Sequence, residues 1–157
     1  MGRSDLEHLK LVALDTDDLA VISAHLQDSV LKVADMAWLP RQSRFALVAN
    51  RFDWESAGQG LYLRRRTGLH FDRVLRVRRT KIRTDAPEAV LNLLAVTFEE
   101  TDSPSGLVTL FFSGGGAVQL EVECLEAQMS DLGPAWETSA KPVHEAEGQD
   151  RRASLGD

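Results

Sequence analysis

The chain has 157 residues, 43% hydrophobic and 27% charged, with a formal net charge of −6. Such a composition supports one globular domain with a sizeable core, and its acidic balance argues against general nucleic-acid binding. The single cysteine, Cys124, excludes an intrachain disulfide, and no apolar run approaches the roughly 18–20 residues of a membrane span.

The amino-terminal Met1-Gly2-Arg3-Ser4-Asp5 lacks the apolar core of a signal peptide, so a cytoplasmic protein is expected. Residues 8–14, with Leu9, Leu11 and Ala13, read as a first strand. Asp15-Thr16-Asp17-Asp18 follows, an N-cap with acids in the first turn, where the helix dipole favours them. Leu19, Ile22 and Leu26 then share one helical face, which predicts a helix over about 17–27. Residues 29–38 read as the next strand, closed by Leu39-Pro40, because proline cannot donate into a ladder. After a short turn, residues 44–54 form a strand with Phe45, Leu47, Ala49, Arg51 and Asp53 on one face and Ala46, Val48, Phe52 and Trp54 on the other. Residues 55–60 hold two glycines and no large apolar side chain, the composition of a mobile loop.

A short strand is predicted at 61–66 and another at 69–79. The second carries a bulge near Asp72-Arg73, where Leu69, Phe71, Val74, Leu75 and Val77 break the period of two. Residues 84–87 turn, 89–99 read as a buried strand, and 101–106 turn again. Leu107-Val108-Thr109-Leu110-Phe111-Phe112 is a strand, and Ser113-Gly114-Gly115-Gly116 supplies the positive φ of a tight hairpin. Val118, Leu120, Val122 and Cys124 alternate with polar residues. Leu125, Met129 and Leu132 then fall at i, i+4 and i+7, predicting a helix that Gly133-Pro134 ends. Residues 139–157 have almost no large apolar side chain and are expected to be a disordered tail, leaving 1–138 as a single globular domain.

The expected fold is α+β, mainly β: a strongly bent antiparallel sheet or partly open barrel of about seven strands. One helix follows the first strand and a C-terminal helix plugs one end. The outline resembles a pleckstrin-homology-like barrel.

Two constellations stand out. Asn50, Arg51, Asp53 and Trp54 lie at a strand end beside the 55–60 loop. An arginine, a carboxylate and an indole can clamp a polar ligand; the plainer reading is an Arg51–Asp53 ion pair and a core aromatic. The second is the run Arg64, Arg65, Arg66, Arg73, Arg76, Arg78, Arg79, Lys81 and Arg83, half of the 18 basic residues of the chain. With Asp72 this window carries +8 and leaves −14 elsewhere. Arg64, Arg66, Arg76, Arg78 and Lys81 are the candidates for a phosphate-binding or protein-binding surface. The plainer reading is a solvated face neutralised by Glu121, Glu123 and Glu126. Tyr62 and Phe71 are the nearby rings, too few for a nucleic-acid stacking platform.

His8, His25, His70 and His144 have no metal-ligand spacing to one another or to Cys124, so no metal and no cofactor is expected. Cys124 reads as a buried, inert thiol. The glycine run lacks a following Lys-Ser/Thr and a helix, so it is not a phosphate loop.

The segments HLQDSVLKVADMAWLP (25–40), RFALVANRFDWE (44–55), LHFDRVLRV (69–77), LLAVTFE (93–99) and GGGAVQLEVECLEAQMSDLGPAW (114–136) resemble an uncharacterised bacterial family, domain of unknown function 2948. The resemblance implies a bacterial cytosolic protein and no activity. The leading expectation is a non-enzymatic binding or scaffold module that contacts a protein partner or a second copy. One alternative is a small-molecule binder, conceivably an enzyme, with a pocket near Arg51, Asp53 and Trp54. The other is nucleic-acid or phosphate binding through the basic segment.

Overall fold

Alternation of buried and exposed side chains governs most of the chain in the computed structural model, which describes residues 8–138 and residue 142. The elements are β1 (Lys10–Ala13), α1 (Thr16–Leu26), β2 (Ser29–Lys32), β3 (Met36–Leu39), β4 (Arg44–Phe52), α2 (Trp54–Ala57), β5 (Leu63–Phe71), β6 (Val74–Thr80), β7 (Val90–Glu100), β8 (Gly106–Phe112), β9 (Ala117–Val122), β10 (Ala127–Asp131) and β11 (Trp136–Glu137). They form one eleven-stranded antiparallel sheet in the order β1-β10-β5-β4-β2-β7-β8-β9-β6, with β3 also on β4 and β11 also on β5.

The sheet is not closed: β1 and β6 are its ends. It bends around a core in which Phe45, Phe71, Phe112, Leu69, Leu93, Leu110, Leu120 and Met129 are all but fully buried. Helix α1 packs into this core through Leu19, Ile22 and Leu26, the stripe legible in the sequence. Asp15 caps it, accepting from the Asp18 N–H at 2.8 Å. The helix lies against β7 and β1, and Ser23 Oγ accepts the Val96 N–H at 2.9 Å. That bond satisfies a strand donor where β7 has parted from β2.

Several predicted elements are corrected. The C-terminal helix is a strand: Ala127, Met129 and Asp131 point inward and Gln128 and Ser130 outward, in register with β1 and β5. Spacings of four residues fit both periods, so Leu125 and Met129 are buried either way, whereas Leu132 is exposed. Among the described residues there is therefore no C-terminal helix to plug a pleckstrin-homology-like barrel, and eleven strands replace the expected seven or so. The 29–38 strand is two, broken by a 3₁₀ turn at Val33–Asp35 in which Asp35 Oδ2 accepts the Lys32 N–H. The 55–60 loop begins as α2, capped by Asp53, and Trp54 belongs to that helix rather than to β4.

The strands predicted at 61–66 and 69–79 are redivided. β5 runs unbroken to Phe71, and the irregularity at Asp72-Arg73 is a change of direction. Arg73 sits at φ 62°, the Asp72 N–H bonds to Glu126 O and the Val74 N–H to Ser43 O. The chain thereby leaves β4 and β10 and joins β9 as β6. β9 stops at Val122, so Cys124 lies beyond it, half-buried rather than in the strand. The predicted tail at 139–157 lies outside the described residues, residue 142 excepted.

Gly106 carries a packing constraint. A Cβ there would sit 2.5 Å from Phe98 Cε1 and 2.6 Å from Glu99 O, and the backbone oxygen cannot swing aside. Gly106→Ala is expected to cost about 1–3 kcal/mol, read as a lower urea midpoint at unchanged slope. An unchanged midpoint would mean that β7 and β8 can separate locally at no cost.

Candidate functional site

Sheet register builds a charged cluster on the inner face. Arg51 of β4 lies directly across from Arg65 of β5, and Thr67 lies across from Asp131 of β10. Two arginines opposed in a buried row repel each other, so each needs its own anion. Asp131 takes Arg51 in a two-pronged pair, Nε to Oδ1 and Nη2 to Oδ2, both at 2.9 Å. It also accepts from Thr67 Oγ1 at 2.8 Å and from the Leu9 N–H at 2.9 Å. Asp53 takes Arg65 Nε at 2.8 Å while its other oxygen accepts the Ser56 N–H at 3.0 Å. Side-chain exposures are 3% and 1% for the first pair and 3% and 6% for the second.

Burial raises the pKa of both aspartates. The hydrogen bond and charge of Arg51 on Asp131, and the bonds from Arg65 and Ser56 to Asp53, outweigh it and hold both below the ordinary value of 3.8. His25 on α1 feels the charges of the same cluster. Burial and the Arg51 charge lower its pKa, against the pull of Glu55, Asp131 and Asp53. Above the cluster lies a cleft of about 390 Å³, lined by His8, Glu55, Ser56 and Gln59 at its rim. Asp131 already accepts four hydrogen bonds, so it offers an incoming ligand little. The arrangement ties β1, β4, β5, β10 and α2 together.

The four residues singled out at the end of β4 divide between two faces. Arg51 and Asp53 enter the cluster, each paired with a residue other than the expected one. Asn50 and Trp54 belong to the opposite face. There Arg66 Nη1 bonds Asn50 Oδ1 at 3.4 Å, and Arg64 Nη1 bonds Asn50 O at 3.2 Å and Asp28 O at 3.4 Å. Phe52 packs edge-on to Trp54 at 4.7 Å, Arg64 stands 5.5 Å from the Phe52 ring centre, and Trp54 Nε1 donates to Gln27 O at 3.2 Å. These contacts fasten the α1–β2 connection onto the sheet.

The basic window is likewise divided. Arg65 is buried, and Arg64 and Arg66 stay on β5. Arg76, Arg78 and Arg79 lie on β6 at the far end of the strand order, with Lys81 just beyond it. On the outer face Arg76 is across from Glu121 and Arg78 across from Gln119. Arg76 reaches Glu121 at 3.8 Å, and Arg73 reaches Glu126 at 3.5 Å and Glu123 at 3.8 Å. Among the described residues Arg78, Arg79 and Lys81 have no ion pair, and all three are exposed. Of these three, Arg78 lines a groove of about 450 Å³, with Leu75, Leu107 and Val122 as its apolar part and Arg76, Arg78 and Glu121 as its charged part.

Sequence reasoning missed Asp131, Arg65 and Thr67 as members of one cluster. The available signal was a lone acid continuing the Ala127, Met129 alternation. Among the described residues no group of three or more His, Cys, Asp or Glu could hold a metal ion, and no helix is long and apolar enough to cross a membrane.

No curated protein and no solved structure matches the chain. The model of one family, described as protein of unknown function (DUF2948), matches residues 9–144, and the chain therefore belongs to that family.

Proposed function

We propose that the protein is a non-enzymatic binding module that docks an acidic surface of a partner protein on β6 and the neighbouring outer face of β9 and β8. The observation that carries this reading is Arg78, exposed and without an ion pair among the described residues, lining with Arg76 the groove at Leu75, Leu107 and Val122. Cations on an end strand also deter edge-to-edge aggregation. That role accounts for the charges but not for Leu75, a large apolar side chain left 56% exposed beside them. The inner charged cluster, by contrast, has Asp131 paired with Arg51 and Asp53 paired with Arg65, and serves the fold.

Charge reversal tests the proposal. Proteins retained on the immobilised chain at low salt should be lost at least tenfold, about 1.4 kcal/mol, from the Arg76→Glu/Arg78→Glu variant. Both positions are exposed, so an unchanged circular dichroism spectrum is expected, with a small fall in the urea midpoint because the substitution at position 76 sets a carboxylate across from Glu121. Retention of the same proteins by both forms would overturn the proposal.

A further inference from the structure

Resting on that reading, we infer that β6 receives its partner as an added strand: an extended segment with carboxylates at alternate positions and apolar residues between them.

The first support is topological. β6 ends the strand order and pairs with β9 alone among the described residues. Alternate residues of an end strand direct their N–H and C=O groups away from the ladder, where they are free to bond another chain. At the start of β6 this side is occupied, because the Val74 N–H bonds to Ser43 O at 2.9 Å. From Leu75 to Thr80 the residues are exposed, with Val77 alone half-buried.

The second support is the side-chain pattern. After the irregularity between Val74 and Arg76, pairing with β9 is regular: Arg76 faces Glu121, Val77 faces Leu120 and Arg78 faces Gln119. Arg76 and Arg78 therefore share the outer face, and Val77 turns toward the core side with Leu120, which is fully buried. A strand laid beside β6 places alternate side chains next to Arg76 and Arg78 and the intervening ones next to Val77 and the aliphatic stem of Arg79. Directly opposed side chains in an antiparallel pair stand about 4.5–5.5 Å apart at Cβ, within reach of an Arg–carboxylate pair. Arg78 has no ion pair to break, and Arg76 is 66% exposed with its Glu121 contact stretched to 3.8 Å.

Other occupants fit less well. A second copy joined β6 to β6 sets arginines against arginines. The other end strand, β1, offers Lys10-Leu11-Val12-Ala13 and no carboxylate. A nucleic-acid strand meets Glu121 in the groove and a chain of net charge −6.

The test uses the full chain and a fluorescein-labelled peptide of alternating Glu and Val, followed by fluorescence anisotropy. Two singly spaced series of backbone N-methylated peptides remove the N–H groups of either the odd or the even residues, keeping every side chain. Strand addition predicts that one series weakens binding at least tenfold and the other leaves it within twofold, because only one set of amides faces β6. It also predicts at least tenfold weaker binding of the parent peptide by Arg78→Glu. Binding by both series alike, or a block peptide of consecutive Glu then Val binding as well as the alternating one, would overturn strand addition and leave the acidic-partner reading standing. No peptide binding, with oligo(dT) binding that Arg78→Glu abolishes, would overturn both. Peptide-driven self-association in sedimentation would point to a second copy and likewise overturn strand addition.

Discussion

Asp131→Ala is expected to lower folding stability by about 3–5 kcal/mol, a large share of the roughly 5–15 kcal/mol that holds a domain folded. The substitution removes the carboxylate that accepts Arg51 twice, Thr67 once and the Leu9 N–H once. It leaves a guanidinium at 3% exposure with Arg65 directly opposite in the sheet. The loss is dominated by that stranded charge rather than by the intrinsic strength of the pair. Arg51→Met combined with Asp131→Leu should therefore recover most of it, because two apolar side chains leave neither charge without a partner. Contrast comes from Lys32 and Glu88, 2.8 Å apart but 52% and 77% exposed. Water screens that pair, and Glu88→Ala should leave the urea midpoint nearly unchanged. Urea unfolding of the four proteins decides the matter. An Asp131→Ala loss no larger than that of Glu88→Ala would mean that the cluster does not hold the sheet together.

The same cluster explains what the sequence allowed a reader to see. Apolar alternation in 44–52, 107–112 and 117–122 is plain, because there the inward residues, Arg51 apart, are Phe, Leu, Val and Ala, and the strands fall within two residues of the expected ends. The N-cap and stripe of α1 are local signals, and they too were legible. β10 was not. Its inward face is Ala127, Met129 and Asp131, and a buried aspartate reads as a polar, outward residue until its arginine is known. That arginine is 80 residues away in the chain. With Asp131 discounted, the i, i+4 spacing of Leu125 and Met129 fits a helix as well as a strand. Arg51 and Asp53 were recognised as a charged pair of interest because they share a strand face. Which charges they meet depends on strand order, which nothing local encodes. For the same reason the sequence leaves open whether the run from Arg64 to Arg83 forms one basic surface. The left-handed residue Arg73 sends its second half to the far end of the sheet, beside Glu121.

Acid should unfold this protein in two stages, with the sign set by the direction of each shift. His25 and His70 have folded-state values below 6.5, both chiefly through burial, with Arg51 and Arg44 respectively adding to the effect. Below pH 6.5 the unfolded chain therefore binds more protons than the folded one, and stability begins to fall. Asp53 and Asp131 have folded-state values below 3.8. Their contribution is fully present above pH 3.8 and is lost as pH drops through the depressed folded values, where protonation removes the anions from Arg65 and Arg51. Each unit of separation between folded and unfolded values is worth about 1.4 kcal/mol. Urea midpoints at pH 7, 5 and 3 should decline in that order. His25→Phe should flatten the interval from 7 to 5, and Arg51→Met with Asp131→Leu should flatten the interval from 5 to 3. If that double variant lost stability in acid as steeply as the parent, the buried pair would not be the element that acid breaks, and the exposed carboxylates would have to carry the transition instead.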